Sequence, residues 1–132
     1  QKRILEQLAG WSQPDGALVA WGTLPEQHDI ENDPSAIARE LQINGTGVIT
    51  LLAGLAPVFE KARSGAIAVI SSVAGDRGRR SNHIYGAAKA AVSAYSAGLR
   101  ARMLPLGVHV LTIKPGFVDT PMTAAFKKGP LW

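Results

Sequence analysis

The feature that most constrains this chain is an alternation of period: short β-branched runs, each closed by turn residues, separated by longer stretches whose apolar residues recur every three or four positions. Residues 17–21 (ALVAW) follow Pro14-Asp15-Gly16, residues 67–71 (IAVIS) follow Gly65, and residues 108–114 (VHVLTIK) follow Gly107 and stop at Pro115-Gly116. Runs of this length, bounded by glycine and proline, read as strands. Their near-continuous hydrophobicity predicts strands covered on both faces, as in a parallel sheet.

Between the first two strands a helix opens at Asp33-Pro34, where aspartate accepts from the first free N–H groups and proline suits the first helical position. Ile37, Leu41, Val48, Leu52, Leu55 and Phe59 define its core face. Ile84, Ala88, Val92, Tyr95, Leu99 and Met103 do the same for a second helix, before the third strand. Strand, helix, strand, helix, strand predicts an α/β fold, part of a doubly wound sheet of three parallel strands. Residues 1–8 read as a further helix ending near Gly10, and residues 117–132 as irregular. Both ends read as cut from a larger fold.

At 132 residues the chain fits one domain, and 46% hydrophobic with 18% charged residues is ordinary globular composition. The absence of cysteine excludes disulfide frameworks and thiolate metal sites. No uninterrupted apolar run reaches the ~18 residues of a membrane span and no cleavable signal opens the chain, so no span and a cytoplasmic location are expected. A net charge of +4 suits an anionic ligand. Nucleic acid is not an expected partner, because no aromatic residue interleaves Arg77, Arg79 and Arg80 for base stacking. His28, Asp29, Glu31 and Asp33 carry metal-ligand chemistry, but Asp33 is committed to a cap and the segment reads as an exposed loop, so no metal is expected.

In open α/β sheets, ligands bind beyond the carboxyl ends of the strands. Those ends are Gly22-Thr23, Ser71-Ser72 and Pro115-Gly116, all small or turn-forming. Tyr85 and Lys89 share one helix face, with Cβ atoms about 5–6 Å apart. A free tyrosine has a pKa of about 10, and a nearby ammonium is expected to lower it, letting the phenol exchange a proton with a substrate oxygen. The pair alone also describes many surface helices. Ser72, where the chain turns back toward Tyr85, adds a hydroxyl able to donate to a carbonyl oxygen, although a strand-end serine also serves as a cap. Side chains alternate along a strand, so only one of Ser71 and Ser72 should face the site. Asn44 falls in the apolar stripe of the first helix between Gly45 and Gly47. A buried, unbonded amide costs about 1–3 kcal/mol and each interior glycine about 1 kcal/mol, so this cluster predicts a kink, a close backbone approach or a bound water.

Asn44, Ser71-Ser72, Tyr85-Gly86-Ala87-Ala88-Lys89 and Lys114-Pro115-Gly116-Phe117-Val118-Asp119-Thr120 together resemble the short-chain dehydrogenase/reductase family, over nearly the whole chain. The resemblance implies a Rossmann-type fold and NAD(P)H-dependent reduction of a small-molecule carbonyl. It implies Tyr85 as acid/base, Lys89 as the group that lowers its pKa and holds the nicotinamide ribose, Ser72 on the carbonyl, and Asn44 in a water-linked proton relay. Gly22, Tyr85, Lys89, Pro115, Gly116, Phe117, Val118 and Thr120 are implied on the cofactor, Val118 and Thr120 at its carboxamide. Within the family, residues 71–81 (SSVAGDRGRRS) and 127–132 (KKGPLW) resemble the decaprenylphosphoryl-2-keto-pentose reductases, which act on a keto-sugar linked to lipid phosphate. Arg77, Arg79 and Arg80 then read as a phosphate clamp, in a loop that Gly75 and Gly78 make flexible.

Two features depart from the family. Its glycine-rich pyrophosphate turn is not in this chain, since Gly45-Thr46-Gly47 lies inside a helical pattern rather than after a strand. Its Asn-Asn-Ala-Gly turn survives only as Ala20-Trp21-Gly22-Thr23. These residues alone are therefore expected to bind neither NADH nor NADPH and to be inactive. The full-length protein is expected to be a homo-oligomer, packed through Ala90, Ala91, Ala94, Ala97 and Gly98. The alternative readings are a non-catalytic Rossmann-like scaffold and a nucleic-acid-binding module. The intact Ser72, Tyr85 and Lys89 weigh against the scaffold.

Overall fold

The computed structural model describes Glu6 and residues 14–124; the helix expected over residues 1–8 lies outside them apart from Glu6. Strands β1 (Gly16–Val19), β2 (Ala66–Ile70) and β3 (His109–Ile113) form one parallel sheet in the order β1-β2-β3. Gly16 pairs with Ala66 and Ala66 with His109, bringing the three carboxyl ends to one edge. The ladder continues past β2: Ser71 N donates to Ile113 O (2.8 Å) and Val73 N to Pro115 O (3.3 Å). The loop after β2 is thereby tied to the segment after β3. The expected strands are present, with ends shifted by one or two residues.

The helical elements are α1 (Gln27–Ile30), α2 (Pro34–Leu41), a π-helical turn (Gln42–Thr46), α3 (Gly47–Ala62) and α4 (His83–Met103). The single turn of α1 replaces the loop expected around His28. Asp33 caps α2 as expected, its Oδ1 accepting from Ser35 N (2.8 Å) and Ala36 N (3.2 Å). Those bonds, the Ser35 hydroxyl first among them, hold its carboxyl below the usual range. Among the described residues no group of His, Asp or Glu is arranged to hold a metal.

Leu52 and Phe59 of α3 and Val92 and Met103 of α4 are fully buried against Ile67 and Val69 of β2. Each large side chain so buried contributes about 1.5–3 kcal/mol. Leu41, expected on the same core face, is 37% exposed. The π turn holds an extra residue and rotates the stripe of α2 away from that of α3. The continuous helix 34–62 is long and apolar enough, by length and composition, to cross a membrane; in this fold its apolar stripe packs on the sheet.

The expectation of strands covered on both faces is not met within the described residues. Val19, Ile67, Val69 and Val110 are buried on one face, whereas Leu18 and Leu111 on the other are 62% and 47% exposed. Among the described residues the long helices pack on the buried face, so burial follows the two-residue pleat even though the strands are apolar throughout.

Candidate active site

The buried face of α4 carries Lys89, and Tyr85 stands one turn before it. Lys89 is only 2% exposed, and its ammonium donates to Ile70 O (3.1 Å) and Trp21 O (3.5 Å), carbonyls at and beyond the ends of two strands. Its Nζ lies 5.5 Å from the centroid of the Tyr85 ring, within cation–π range. Burial pushes the Lys89 pKa below its ordinary value. Burial likewise pushes the Tyr85 phenol up, partly offset by a hydrogen bond from Ser72. This corrects the expectation that Lys89 lowers the Tyr85 pKa: desolvation dominates, and the ammonium is engaged with main-chain carbonyls. A raised pKa keeps Tyr85 protonated at neutral pH, the form that gives a proton away.

Ser71 and Ser72 divide as the alternation of a strand requires. Ser71 is buried and bonds Lys89 O (3.0 Å) and Ser93 Oγ (2.7 Å), so it anchors α4. Ser72 faces Tyr85 and also caps the short turn Val73–Gly75, accepting from Ala74 N (3.1 Å). That acceptance leaves its own proton free to donate, so the cap does not consume the hydroxyl. Two glycines let the loop of Ser72 lie directly on α4. A Cβ on Gly75 would meet Ala90 N at 2.7 Å, and one on Gly86 would meet Ala74 O at 2.7 Å. Gly75 therefore serves close packing rather than the expected flexibility, while a Cβ on Gly78 would meet nothing within 4 Å.

Asn44 is fully buried in the π turn, and the Cβ position of Gly45 stands 3.6 Å from Ala88 of α4, so the close approach is present and the irregularity takes the form of a π turn. Asn44 Oδ1 accepts from Thr23 N (2.9 Å), and its Nδ2 donates to Thr23 Oγ1 (3.1 Å) and Glu40 Oε2 (2.9 Å). Thr23 Oγ1 donates to the same Glu40 oxygen (2.8 Å), closing a ring of three side chains. Sequence reasoning missed Glu40 and Thr23; the available signal was the i, i+4 spacing of Glu40 and Asn44, which puts both on one helix face. The ring fixes the turn carrying Gly22, where a Cβ would come within 2.7 Å of Asn44 Oδ1 and 3.4 Å of Lys89 Nζ.

A cleft of about 650 Å³ opens at the carboxyl ends of the strands, and Ser72, Tyr85, Pro115, Gly116, Phe117, Val118 and Thr120 all line it. Gly22, Asn44 and Lys89 do not. Beyond β3, the Thr123 hydroxyl donates to Val118 O (2.5 Å) and accepts from Thr120 N (3.2 Å), holding that wall through local bonds. Lys114 pairs with Asp76 (2.6 Å) and links the two walls. Of the three loop arginines, only Arg79 lines the cleft. Arg80 borders a separate depression with Glu26 and Glu31, and Arg77 is exposed and lines neither.

A model of the short chain dehydrogenase family matches residues 15–130. An uncharacterized oxidoreductase of Mycobacterium tuberculosis strain H37Rv is 36% identical over 115 residues, 87% of this chain and 46% of that protein. One from Streptomyces coelicolor is 36% identical over 111 residues, 83% of this chain and 43% of that protein. The chain spans about half the length of these curated relatives. A short-chain dehydrogenase from Burkholderia cenocepacia, solved with NADP, has the same fold, with a TM-score of 0.86 at 23% identity over 97% of this chain and 54% of that one. One from Sphingobium yanoikuyae, solved with NADPH, gives a TM-score of 0.81 at 28% identity over 92% of this chain and 48% of that one. Three parallel strands, a cleft beyond their carboxyl ends and a family match running through nearly the whole described chain lead to one assignment: this chain belongs to the short-chain dehydrogenase family.

Proposed function

We propose that the protein carrying this chain reduces a small-molecule carbonyl with NAD(P)H, with Tyr85 as proton donor, Ser72 and Lys89 as its partners, and Asn44 holding the turn behind them. The observation that carries this reading is that Ser72 and Tyr85 line one cleft, with Tyr85 one helical turn from a buried lysine whose ammonium lies 5.5 Å from its ring. The residues present fit the nicotinamide end of such a cofactor. Gly22 leaves open a space that a Cβ would fill between Asn44 and Lys89, and nothing stands within 4 Å of a Cβ on Gly116 in the opposite wall. Lys89 and Tyr85 are assigned to the ribose, and Gly22 with Pro115, Gly116, Phe117, Val118 and Thr120 to the nicotinamide. Among the described residues no strand-to-helix turn has the glycine-rich form that cradles a pyrophosphate. The relative solved with NADPH at 28% identity makes NADPH the first cofactor to test.

When bound, the nicotinamide supplies the hydride that adds to the carbonyl carbon. Ser72 would orient the carbonyl oxygen by donating a hydrogen bond to it while keeping its own proton, and Tyr85 Oη would transfer the one proton that completes the alcohol. Lys89, held on two main-chain carbonyls with its ammonium 5.5 Å from the Tyr85 ring, would offset part of the charge of the phenolate left behind, although burial outweighs this in the resting site. Asn44 keeps the Trp21-Gly22 turn, and thus one of the carbonyls that hold Lys89, in place.

The finer substrate reading, a keto-sugar on lipid phosphate, rests on the motif resemblance and on Arg79, the one loop arginine on the cleft, beside the apolar side chains of Leu24, Val73 and Met122. The homo-oligomer reading is supported by Ala91, Ala94, Ala97 and Gly98, all exposed on the outer face of α4; sedimentation of the intact protein tests it. The test of the proposal itself is Tyr85→Phe in the intact protein. Turnover should fall by about 10²–10⁴-fold with cofactor affinity retained. Near-normal turnover would overturn the assignment.

A further inference from the structure

Asn82 stands immediately before α4, where an asparagine side chain ordinarily accepts from the second or third N–H of the helix. Here it does not. The N–H of Ile84 is taken by Gln27 Oε1 (3.3 Å), reaching across from α1, and Gln27 Nε2 lies 3.3 Å from His83 Nε2. Gln27 is buried, so α1 supplies the cap of α4 and relieves Asn82 of it. Asn82 Oδ1 is itself buried, with no hydrogen-bond partner among the described residues. An amide acceptor in that state costs about 1–3 kcal/mol, and such groups mark strain, a chemical role, or a water or ligand that completes them.

Asn82 also lines the cleft shared by Ser72 and Tyr85, one helical turn before Tyr85. Asn82 Oδ1 makes no cap bond and has no partner among the described residues, and the last torsion of an asparagine is broad, so a turn about it brings the acceptor to the cleft. Leu24, Phe117 and Met122, which line the same cleft, are apolar.

We infer that Asn82 is a specificity residue that accepts a hydrogen bond from a hydroxyl carried beside the reacting carbonyl, making the substrate class a hydroxy ketone rather than a plain ketone. The inference rests on the reductase reading above. Ser72 and Tyr85 occupy the carbonyl oxygen, and a hydroxyl on the adjacent carbon is the donor Asn82 lacks. A site built around such a hydroxyl discriminates strongly against the analogue without it, because the polar group of the site is then left unpaired.

The test uses hydroxyacetone and acetone as matched probes, reduced by the intact protein with NADPH. The wild type should favour hydroxyacetone by about tenfold or more in kcat/KM. Asn82→Leu should bring that ratio close to one, and Asn82→Asp, which keeps an acceptor in place, should preserve it. Asn82→Ala serves if the leucine variant does not fold. A preference unchanged in both Asn82→Leu and Asn82→Ala overturns the inference. Equal use of both ketones by the wild type means that water alone completes Asn82; it overturns the inference and leaves the reductase reading standing. Reduction of neither ketone by the wild type overturns both.

Discussion

The two walls of the cleft are held in different ways. The wall made by α4 and the loop after β2 is anchored in the core: Ser71 is bonded to Lys89 O and Ser93, Lys89 is buried on two carbonyls, and Gly75 and Gly86 admit backbone-to-backbone contact. The wall after β3 is held by one threonine hydroxyl on Val118 O and Thr120 N, by Val73 N on Pro115 O and by the Lys114–Asp76 pair, while Phe117, Val118 and Met122 stay about half exposed. Tyr85 therefore inherits its position from the core of the fold. The opposing wall is the more exposed of the two and is held by bonds nearer the surface.

Lys89→Met gives the largest break in this comparison. It removes the buried charge and keeps the stem, so turnover should fall by about 10²-fold while the thermal midpoint holds or rises. Its pH dependence follows from two shifts of opposite sign. Tyr85 has a raised pKa, so its contribution to stability is complete below the ordinary value of 10.0 and is lost as pH rises through the raised one. Lys89 has a lowered pKa, so its cost to the fold is relieved as pH rises from the lowered value toward the ordinary 10.5. Alkaline denaturation should therefore be steeper in Lys89→Met than in the wild type, and shallower in Tyr85→Phe. Melts across the alkaline range check both.

The walls themselves are compared by one pair of substitutions. Gly75→Ala forces a Cβ to 2.7 Å from Ala90 N and should destabilise by about 1–3 kcal/mol, lowering both the thermal midpoint and turnover. Gly116→Ala enters open space and should leave the midpoint unchanged. Equal losses from the two would mean that both walls are core-anchored. The smallest effect is expected for Thr123→Val, which removes the local cap at about 0.5–2 kcal/mol, felt within its own turn. It should weaken cofactor binding more than it changes the thermal midpoint, as a fluorescence titration beside a melt would show.

What was legible in the sequence was mostly local. The Asp33 cap, the inward Asn44 with its irregular turn and the division of labour between Ser71 and Ser72 follow from neighbours within a turn or along one strand. What was not legible depends on distant partners. Gln27 caps a helix 57 positions away, and Thr23 bonds Asn44 across 21. The packing duty of Gly75 appears only once α4 lies against it, and the open face of the sheet only once helices have settled on the other side. The direction of the Tyr85 shift was misjudged because spacing shows that a lysine is near but not how far both groups are desolvated. The phase of Leu41 was misjudged because a π turn adds a residue that strict periodicity does not count.

The central claim is that Tyr85, Ser72 and Lys89 reduce a carbonyl with hydride from a nicotinamide. The most direct test supplies the intact protein with NADPH deuterated at the transferable position and a carbonyl substrate, and locates the label in the product by mass spectrometry. The account predicts deuterium on the former carbonyl carbon with the wild type, and transfer slowed by about 10²-fold or more with Tyr85→Phe. An alcohol product without deuterium at that carbon, or transfer by Tyr85→Phe at the wild-type rate, would contradict it.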